Sequence, residues 1–246
     1  MRILVVRPPF KLSKTTAAGY RNMSDDVRFM MRERNLLYPQ SSLYNDYDLV
    51  VNLGNNEINK KGLETIMVND PDRVAKVTIS PRKTRKLFTE FWPHVLWGRD
   101  FVVKRAGSRK GLQHKLEHSF DLKRVVLGHE DAIQMYVPGD EYRVVIVCGK
   151  IVQASRKHGS FGDFDYEWVG VQHLRDIGVL DWCRAVAERC VNVFGKWHLL
   201  GMDMIISQDQ PYLIELNSCP GVNEHTGRRV GAMLERFWRE ETGHAD

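Results

Sequence analysis

Apolar residues in this chain fall into short runs with two different periods. Ile3-Leu4-Val5-Val6 is continuous and stopped by Pro8-Pro9, and Leu49-Val50-Val51-Asn52-Leu53 is stopped by Gly54. Runs that short, closed by proline or glycine, predict buried strands, the second a parallel partner of the first. Ile66–Val68 predicts a third strand, and the polar stretch around Asp25–Asn35 predicts a helix; together they make a small α/β lobe. Ser80 followed by Pro81 is a helix start, with the helix reaching about Phe91. Phe101–Lys104 predicts a strand that runs into a basic, glycine-containing loop, Arg105–Gly111, and Val125–Leu127 and Ala132–Val137 predict two more strands. Tyr142–Cys148 and Ile151–Ser155 flank Gly149-Lys150, the pattern of a β-hairpin with a two-residue turn. Asp181 caps a predicted helix whose Trp182, Val186, Cys190 and Val193 recur at helical spacing, and Gly195 ends it. Leu199–Ile206 and Tyr212–Leu216 form a second hairpin around Ser207–Gln210, and a last helix covers about Gly227–Glu241. The elements divide into an amino-terminal α/β lobe (1–70) and two further stretches, 71–140 and 141–246.

Composition narrows the class. The 246 residues are 43% hydrophobic and 27% charged, the proportions of a globular protein, and no apolar run approaches the ~20 residues of a membrane span. The amino-terminal apolar run is too short for a signal peptide, so a cytoplasmic location and no membrane partner are expected. Four cysteines without a CxxC pair or zinc spacing predict reduced, mostly buried thiols. The net charge of +5 is uneven: residues 76–124 carry 13 basic and 4 acidic side chains, and 125–246 carry 12 and 18. A cationic middle and an acidic end suit a protein that grips polyphosphate with one part and metal ions with another.

The strongest candidate chemistry lies in the second hairpin. Asp203 and Glu215 each interrupt an apolar strand, which is costly unless the carboxylate is paired or bound to a metal. Asn217, two residues past Glu215, projects from the same strand face. Three hard oxygen donors of this kind suit Mg²⁺, with phosphate oxygens completing the shell. A strict four-residue loop at 207–210 would turn Asp203 away from Glu215, so an odd loop or a bulge is expected. In the first hairpin, a Gly149-Lys150 turn sets Arg143 across from Arg156, two guanidinium groups that repel unless an anion lies between them. Lys104, at a strand end before Gly107-Ser108-Arg109-Lys110-Gly111, adds a point charge beside a loop whose amides can approach phosphate, although the spacing is not that of a Walker loop.

Taken in order, Asn69 and Pro71, Lys83, Lys104 with its glycine loop, Gln134–Arg143, Arg156, and Asp203 through the Asn217-Ser218-Cys219-Pro220-Gly221 ending resemble the ATP-grasp superfamily over about residues 69–223. The flavour is similar to its carboxylate–amine ligases, such as the ribosomal-protein glutamate ligases and D-alanine–D-alanine ligase. The resemblance implies an α/β ATP-grasp fold, with a lid or phosphate-binding lobe at 71–140 and a catalytic lobe at 141–246, and an ADP-forming ligase that makes an amide through an acyl phosphate. It implies ATP and one or two Mg²⁺ ions (Mn²⁺ an alternative), a carboxylate substrate and an amine acceptor, and dimers are frequent in the family. The acceptor stays open among an amino acid, a peptide, a protein tail and a nucleic-acid-borne amine. By position, Lys83 and Lys104 hold ATP phosphates, and Gly107, Ser108 and Gly111 belong to the lid. Gln134, Met135, Tyr136 and Val137 meet adenine, and Glu141 meets the ribose. Arg143, Arg156 and Lys104 act on the transferred group, and Asp203, Glu215 and Asn217 ligate metal. Gln134 stands where the family often has glutamate, and residues 158–169 replace its familiar loop after the arginine. A kinase acting on a hydroxyl, or an ATP-binding module without turnover, are the competing readings.

Overall fold

The structure is a computed structural model. It describes residues 1–6, 12–30, 44–54, 58, 60–78, 80–93, 100–104, 115–117, 126–160 and 163–244, with the backbone alone at 115–117, 159–160 and 163–165. Strands β1 (Arg2–Val6), β2 (Asp26–Met30), β3 (Leu49–Asn52) and β4 (Ile66–Val68) form a parallel sheet in the order β2-β1-β3-β4, with helix α1 (Lys14–Arg21) between the first two. β1 is buried from Ile3 onward and β3 throughout, as a parallel sheet covered on both faces requires. The helix expected around 25–35 is corrected over its described part: Asp26–Met30 pairs with β1 as an edge strand. Its Val27, Phe29 and Met30 pack inward, and this tertiary pairing outweighs the polar local sequence.

Asp70 caps the turn of π-helix Pro71–Ala75, which leads into the short α2 (Lys76–Thr78). Ser80 accepts from the Lys83 N–H and starts α3 (Pro81–Leu87), with a 3-10 turn following at Thr89–Phe91. A small antiparallel sheet, order β6-β5-β7, contains β5 (Phe101–Lys104), β6 (Lys115–Glu117) and β7 (Ala132–Met135). Val126 and Leu127 are exposed and belong to no strand.

The main sheet is antiparallel, order β10-β9-β8-β11-β12, from β8 (Asp140–Val147), β9 (Lys150–Ser160), β10 (Asp163–Trp168), β11 (Leu199–Ser207) and β12 (Gln210–Asn217). Between β10 and β11 run α4 (Gly170–Asp176) and α5 (Leu180–Phe194); α6 (Glu224–Thr242) closes the described chain. Helix α5 begins two residues earlier than its sequence suggests, at Leu180 with Val179 at the cap, so that Asp181 lies in the first turn. Among the described residues no helix is long and apolar enough to cross a membrane.

Both faces of the main sheet are covered. Tyr142, Val144, Ile146, Leu200 and Met202 pack on α5 through Cys183, Val186 and Cys190. The alternate residues Val145, Val147 and Leu199 pack on β1, β3, α1 and α6. Asn69 bonds the two sheets together: its Nδ2 donates to Asn52 O, Leu199 O and Ser218 O, and its Oδ1 accepts from the Leu199 N–H.

The first hairpin differs from its expected register. Cys148 and Gly149, both at positive φ, form the turn, and Val147 faces Lys150. His198 decides this: its carbonyl accepts from the Cys148 N–H, and its Nε2 accepts from the Gly149 N–H at 3.0 Å. A bulge between Val145 and Ile146 then shifts the strands, so Arg143 faces Ser155 and Tyr142 faces Arg156.

Candidate functional site

The β8–β12 sheet carries a polar patch where its inner face leaves the core. Residues at alternate positions share that face: Glu141 and Arg143 on β8, Ser155 and Lys157 on β9, Asp203 on β11, Glu215 and Asn217 on β12. The second hairpin turns tightly at Gln208-Asp209, both at positive φ, and Ser207 faces Gln210. A bulge beside Asp203 skips Ile214, so Asp203 lies directly across from Glu215, the arrangement expected from the sequence. The skipped Ile214 carbonyl is free to turn, and it accepts from Lys104 Nζ, which reaches in from the end of β5.

Asp203 is held by Arg143, whose Nε and Nη2 donate to Oδ1 and Oδ2 at 2.6 Å each. Burial alone would raise the Asp203 pKa, but the guanidinium holds it below the usual carboxylate value. Glu215 has no hydrogen-bond or ion-pair partner among the described residues, and burial raises its pKa with Asp203 adding to the rise. Burial also lowers the Lys104 pKa, opposed by Glu215 and Asp203. Its ammonium lies 5.5 Å from the centre of the Trp92 ring. Lys157 pairs with Glu141 beside these groups.

The donor set fits a hard divalent cation. The Asn217 Oδ1 is buried and has no hydrogen-bond partner among the described residues. Its carboxamide lies where a Cβ at Gly201 would be 2.8 Å from Nδ2 and 2.9 Å from Oδ1, so only glycine leaves room for it. An orphaned carboxamide oxygen, an unpaired carboxylate and a second carboxylate, all on one face, are oxygen ligands awaiting a partner. Each Asp203 oxygen keeps a lone pair beyond the one shared with Arg143.

Other expected residues are placed as follows. Gln134 is buried on β7, on the same face of the small sheet as Lys104, and its Oε1 also lacks a partner among the described residues. Met135 ends that strand, Tyr136 is exposed and Val137 is buried. Lys83 lies on α3 and pairs with Glu130 at 3.0 Å. Gly107, Ser108 and Gly111 lie outside the described residues.

Arg156 is not brought to the patch. The bulge puts it on the opposite face of the sheet, where it pairs with the exposed Asp140 at 2.7 Å. Lys157 occupies the inner face instead, and sequence reasoning missed it because a bulge leaves no mark on strand alternation. Tyr166 on β10 was also unforeseen; its ring centre lies 5.0 Å from Arg143 Cζ. Burial pushes the Cys219 thiol up to about 12, so it stays protonated at neutral pH. His158 pairs with Glu167 in solvent, His225 is exposed, and His198 is buried in its structural role. Two cavities, of about 610 and 500 Å³, lie against α6, and none of these groups lines them.

No sequence-family model matches the chain. A probable alpha-L-glutamate ligase from Syntrophotalea carbinolica is 26% identical over 146 residues, which is 57% of this chain and 46% of that protein. One from Marinomonas is 27% identical over 140 residues, 54% of this chain and 44% of the relative. The chain thus spans about half the length of the curated relatives it matches. Among solved structures, D-alanine–D-alanine ligase from Bacillus anthracis complexed with ATP superposes with a TM-score of 0.63 at 14% identity, covering 98% of this chain and 99% of that one. An ATP-grasp RimK domain protein from Sphaerobacter thermophilus gives 0.61 at 12% identity, covering 94% and 98%. With three sheets and near-complete coverage of these structures, the chain has the α/β ATP-grasp fold.

Proposed function

We propose that this chain is an ATP-dependent ligase that joins a carboxylate to an amine through an acyl phosphate. The observation that carries the reading is the single sheet face on which Asp203, Glu215 and the orphaned Asn217 oxygen lie beside Lys104, Lys157 and Arg143. Three oxygen donors flanked by three cations match a metal–polyphosphate ligand in both charge and hardness.

Asp203, Glu215 and Asn217 would hold Mg²⁺, or Mn²⁺, which when bound offsets the charge of the phosphates. Lys104, fixed by the Ile214 carbonyl, would meet a phosphate oxygen without having to be ordered first. Lys83 would join it once released from Glu130, with Gly107, Ser108 and Gly111 in the lid. Gln134 to Val137 would receive the adenine and Glu141 the ribose.

A substrate carboxylate oxygen attacks the γ-phosphorus of ATP, the bond to the bridging oxygen breaks, and ADP leaves. The amine nitrogen then attacks the acyl carbon and loses a proton, the bond to the phosphate oxygen breaks, and phosphate leaves with the pair. Arg143 and Lys157 stabilise the negative charge on the transferred group at both stages. The matched relatives' name makes L-glutamate the first substrate to test, with amino acids, peptides and protein tails as acceptors.

The test is ADP release from ATP and Mg²⁺ across carboxylate–amine pairs. Turnover is expected to require both partners and to vanish in Asp203→Ala/Glu215→Ala. Lys157→Met should lose about a hundredfold in kcat/KM, whereas Arg156→Ala should stay within about twofold, as an exposed ion pair does. Stimulation by alcohols alone would replace the ligase with a kinase, and equal losses in the Lys157 and Arg156 variants would refute the assignment by face.

A further inference from the structure

We infer that Tyr166 is a positioning residue for Arg143, and that together they leave one guanidinium nitrogen, Nη1, as the donor that meets the transferred phosphate. The inference rests on the nucleotide reading above and adds a residue and a direction to it.

Arg143 is used up on one edge. Its Nε and Nη2 are spent on Asp203, and among the described residues Nη1 has no hydrogen-bond partner. Nη1 points toward the loop after β12: a Cβ built on Gly221 would lie 3.8 Å from it and 3.9 Å from Thr16 Oγ1 in the first turn of α1. The one unspent donor thus lies beside Gly221, at the end of the guanidinium not engaged by Asp203.

One face of the guanidinium is covered by the Tyr166 ring. The ladder explains how the ring reaches it. Tyr166 faces Lys157, and Trp168 faces Ser155, which in turn faces Arg143. Tyr166 therefore shares the inner face of the sheet, one pleat along from Arg143 and one strand beyond β9. Ser155, buried directly across from Arg143, has too small a side chain to separate the ring from the guanidinium.

The chemistry favours a ring here over a second carboxylate. When Asp203 shares its oxygens with a metal ion, its grip on Arg143 weakens and the side chain gains freedom to swing. An aromatic face holds a cation in place without neutralising it. Nη1 then keeps its charge for the anion, and the guanidinium keeps its orientation through the transfer.

The experiment is calorimetry of wild type, Tyr166→Phe and Tyr166→Leu. Mg·ADP is titrated first, and orthovanadate, a mimic of the transferred phosphoryl group, is then titrated into the Mg·ADP complex. All three proteins should bind Mg·ADP within about twofold, which also reports that each is folded. Vanadate affinity should fall about tenfold in Tyr166→Leu and stay within about threefold of wild type in Tyr166→Phe, since the ring and not the hydroxyl holds the guanidinium. Arg143→Lys keeps the charge but loses the planar face, and should lose at least as much vanadate affinity as Tyr166→Leu. Unchanged vanadate binding in Tyr166→Leu, or an equal loss in Tyr166→Phe, overturns the inference while leaving the nucleotide site intact. Absence of Mg·ADP binding in the wild type would instead overturn the nucleotide reading and this inference with it.

Discussion

Asn69 offers the sharpest test of how the parallel sheet is fastened to the five-stranded antiparallel one. It is fully buried, at φ 61, and lies between β3, β11 and the end of β12. Its Nδ2 has Asn52 O at 3.1 Å, Leu199 O at 2.8 Å and Ser218 O at 3.1 Å, and its Oδ1 accepts from the Leu199 N–H at 2.8 Å. Truncation to alanine strands that buried N–H and removes the donor from the carbonyls. At about 1–3 kcal/mol for each buried group left unpaired, two such groups amount to about 4 kcal/mol. A β-carbon without a compensating amide in the left-handed region adds about 1 kcal/mol. Asn69→Gly separates the two contributions, because it loses the bonds but keeps the backbone at ease, and should recover about 1 kcal/mol relative to Asn69→Ala. Asn69→Asp keeps the acceptor for Leu199 but sets a carboxylate oxygen against three carbonyls. Its folded-state pKa is then raised, so the deficit is small at low pH and grows as pH climbs above about 4, the unfolded value. Urea unfolding at pH 4 and pH 7 reads all three variants. A loss below about 1.5 kcal/mol in Asn69→Ala, or an Asn69→Asp curve flat with pH, would refute the reasoning.

Two further outcomes follow from the buried ionisable groups. Burial lowers the His198 pKa from 6.5 to about 4, so stability is complete above pH 6.5 and falls as pH drops toward 4, by about 3 kcal/mol at most; His198→Gln should flatten that limb of a pH–stability profile, and an unchanged slope would contradict it. Glu215→Gln and Asp203→Asn should shift stability in opposite directions although they face each other: the first removes a carboxylate whose charge burial disfavours and should stabilise the fold, while the second leaves Arg143 unpaired and loses about 3 kcal/mol. Thermal melts without ligand decide it, and both variants should lose Mg²⁺-dependent nucleotide binding.

The parts of this fold that were legible in the sequence are those where local pattern and tertiary demand agree. The apolar runs of β1 and β3, the Ser80-Pro81 helix start and the Asp203–Glu215 pairing belong to that group. The carboxylates were legible because a charge inside an apolar strand admits few physical excuses. The Arg143–Arg156 pairing misled because of two adjustments that partly offset each other, a turn displaced by His198 and a bulge before Ile146 that puts Arg156 on the other face, and alternation records neither. Strand β2 was hidden because its pairing with β1 is made by backbone groups, which carry no sequence signal. Tyr166 was hidden because its partner Arg143 sits two strands away and 23 positions earlier, a distance that only the register of β9 collapses.

Helices α1 and α6 touch through their backbones. A Cβ at Gly227 would lie 1.8 Å from Gly19 O, one at Gly231 would lie 1.7 Å from Met23 O, and one at Gly19 would lie 2.3 Å from Val222 O. Contacts that close leave no slack for sliding, so the parallel sheet and the carboxylate strands behave as one anvil. On the proposed reading, an opening for the nucleotide is then left to the β5–β7 sheet, which meets the rest at side-chain handholds such as Lys104 on Ile214 and Arg85 on Ile133. Directed change in release rate should be sought at those handholds, and a side chain added at Gly19, Gly227 or Gly231 should wedge the anvil apart instead of tuning it.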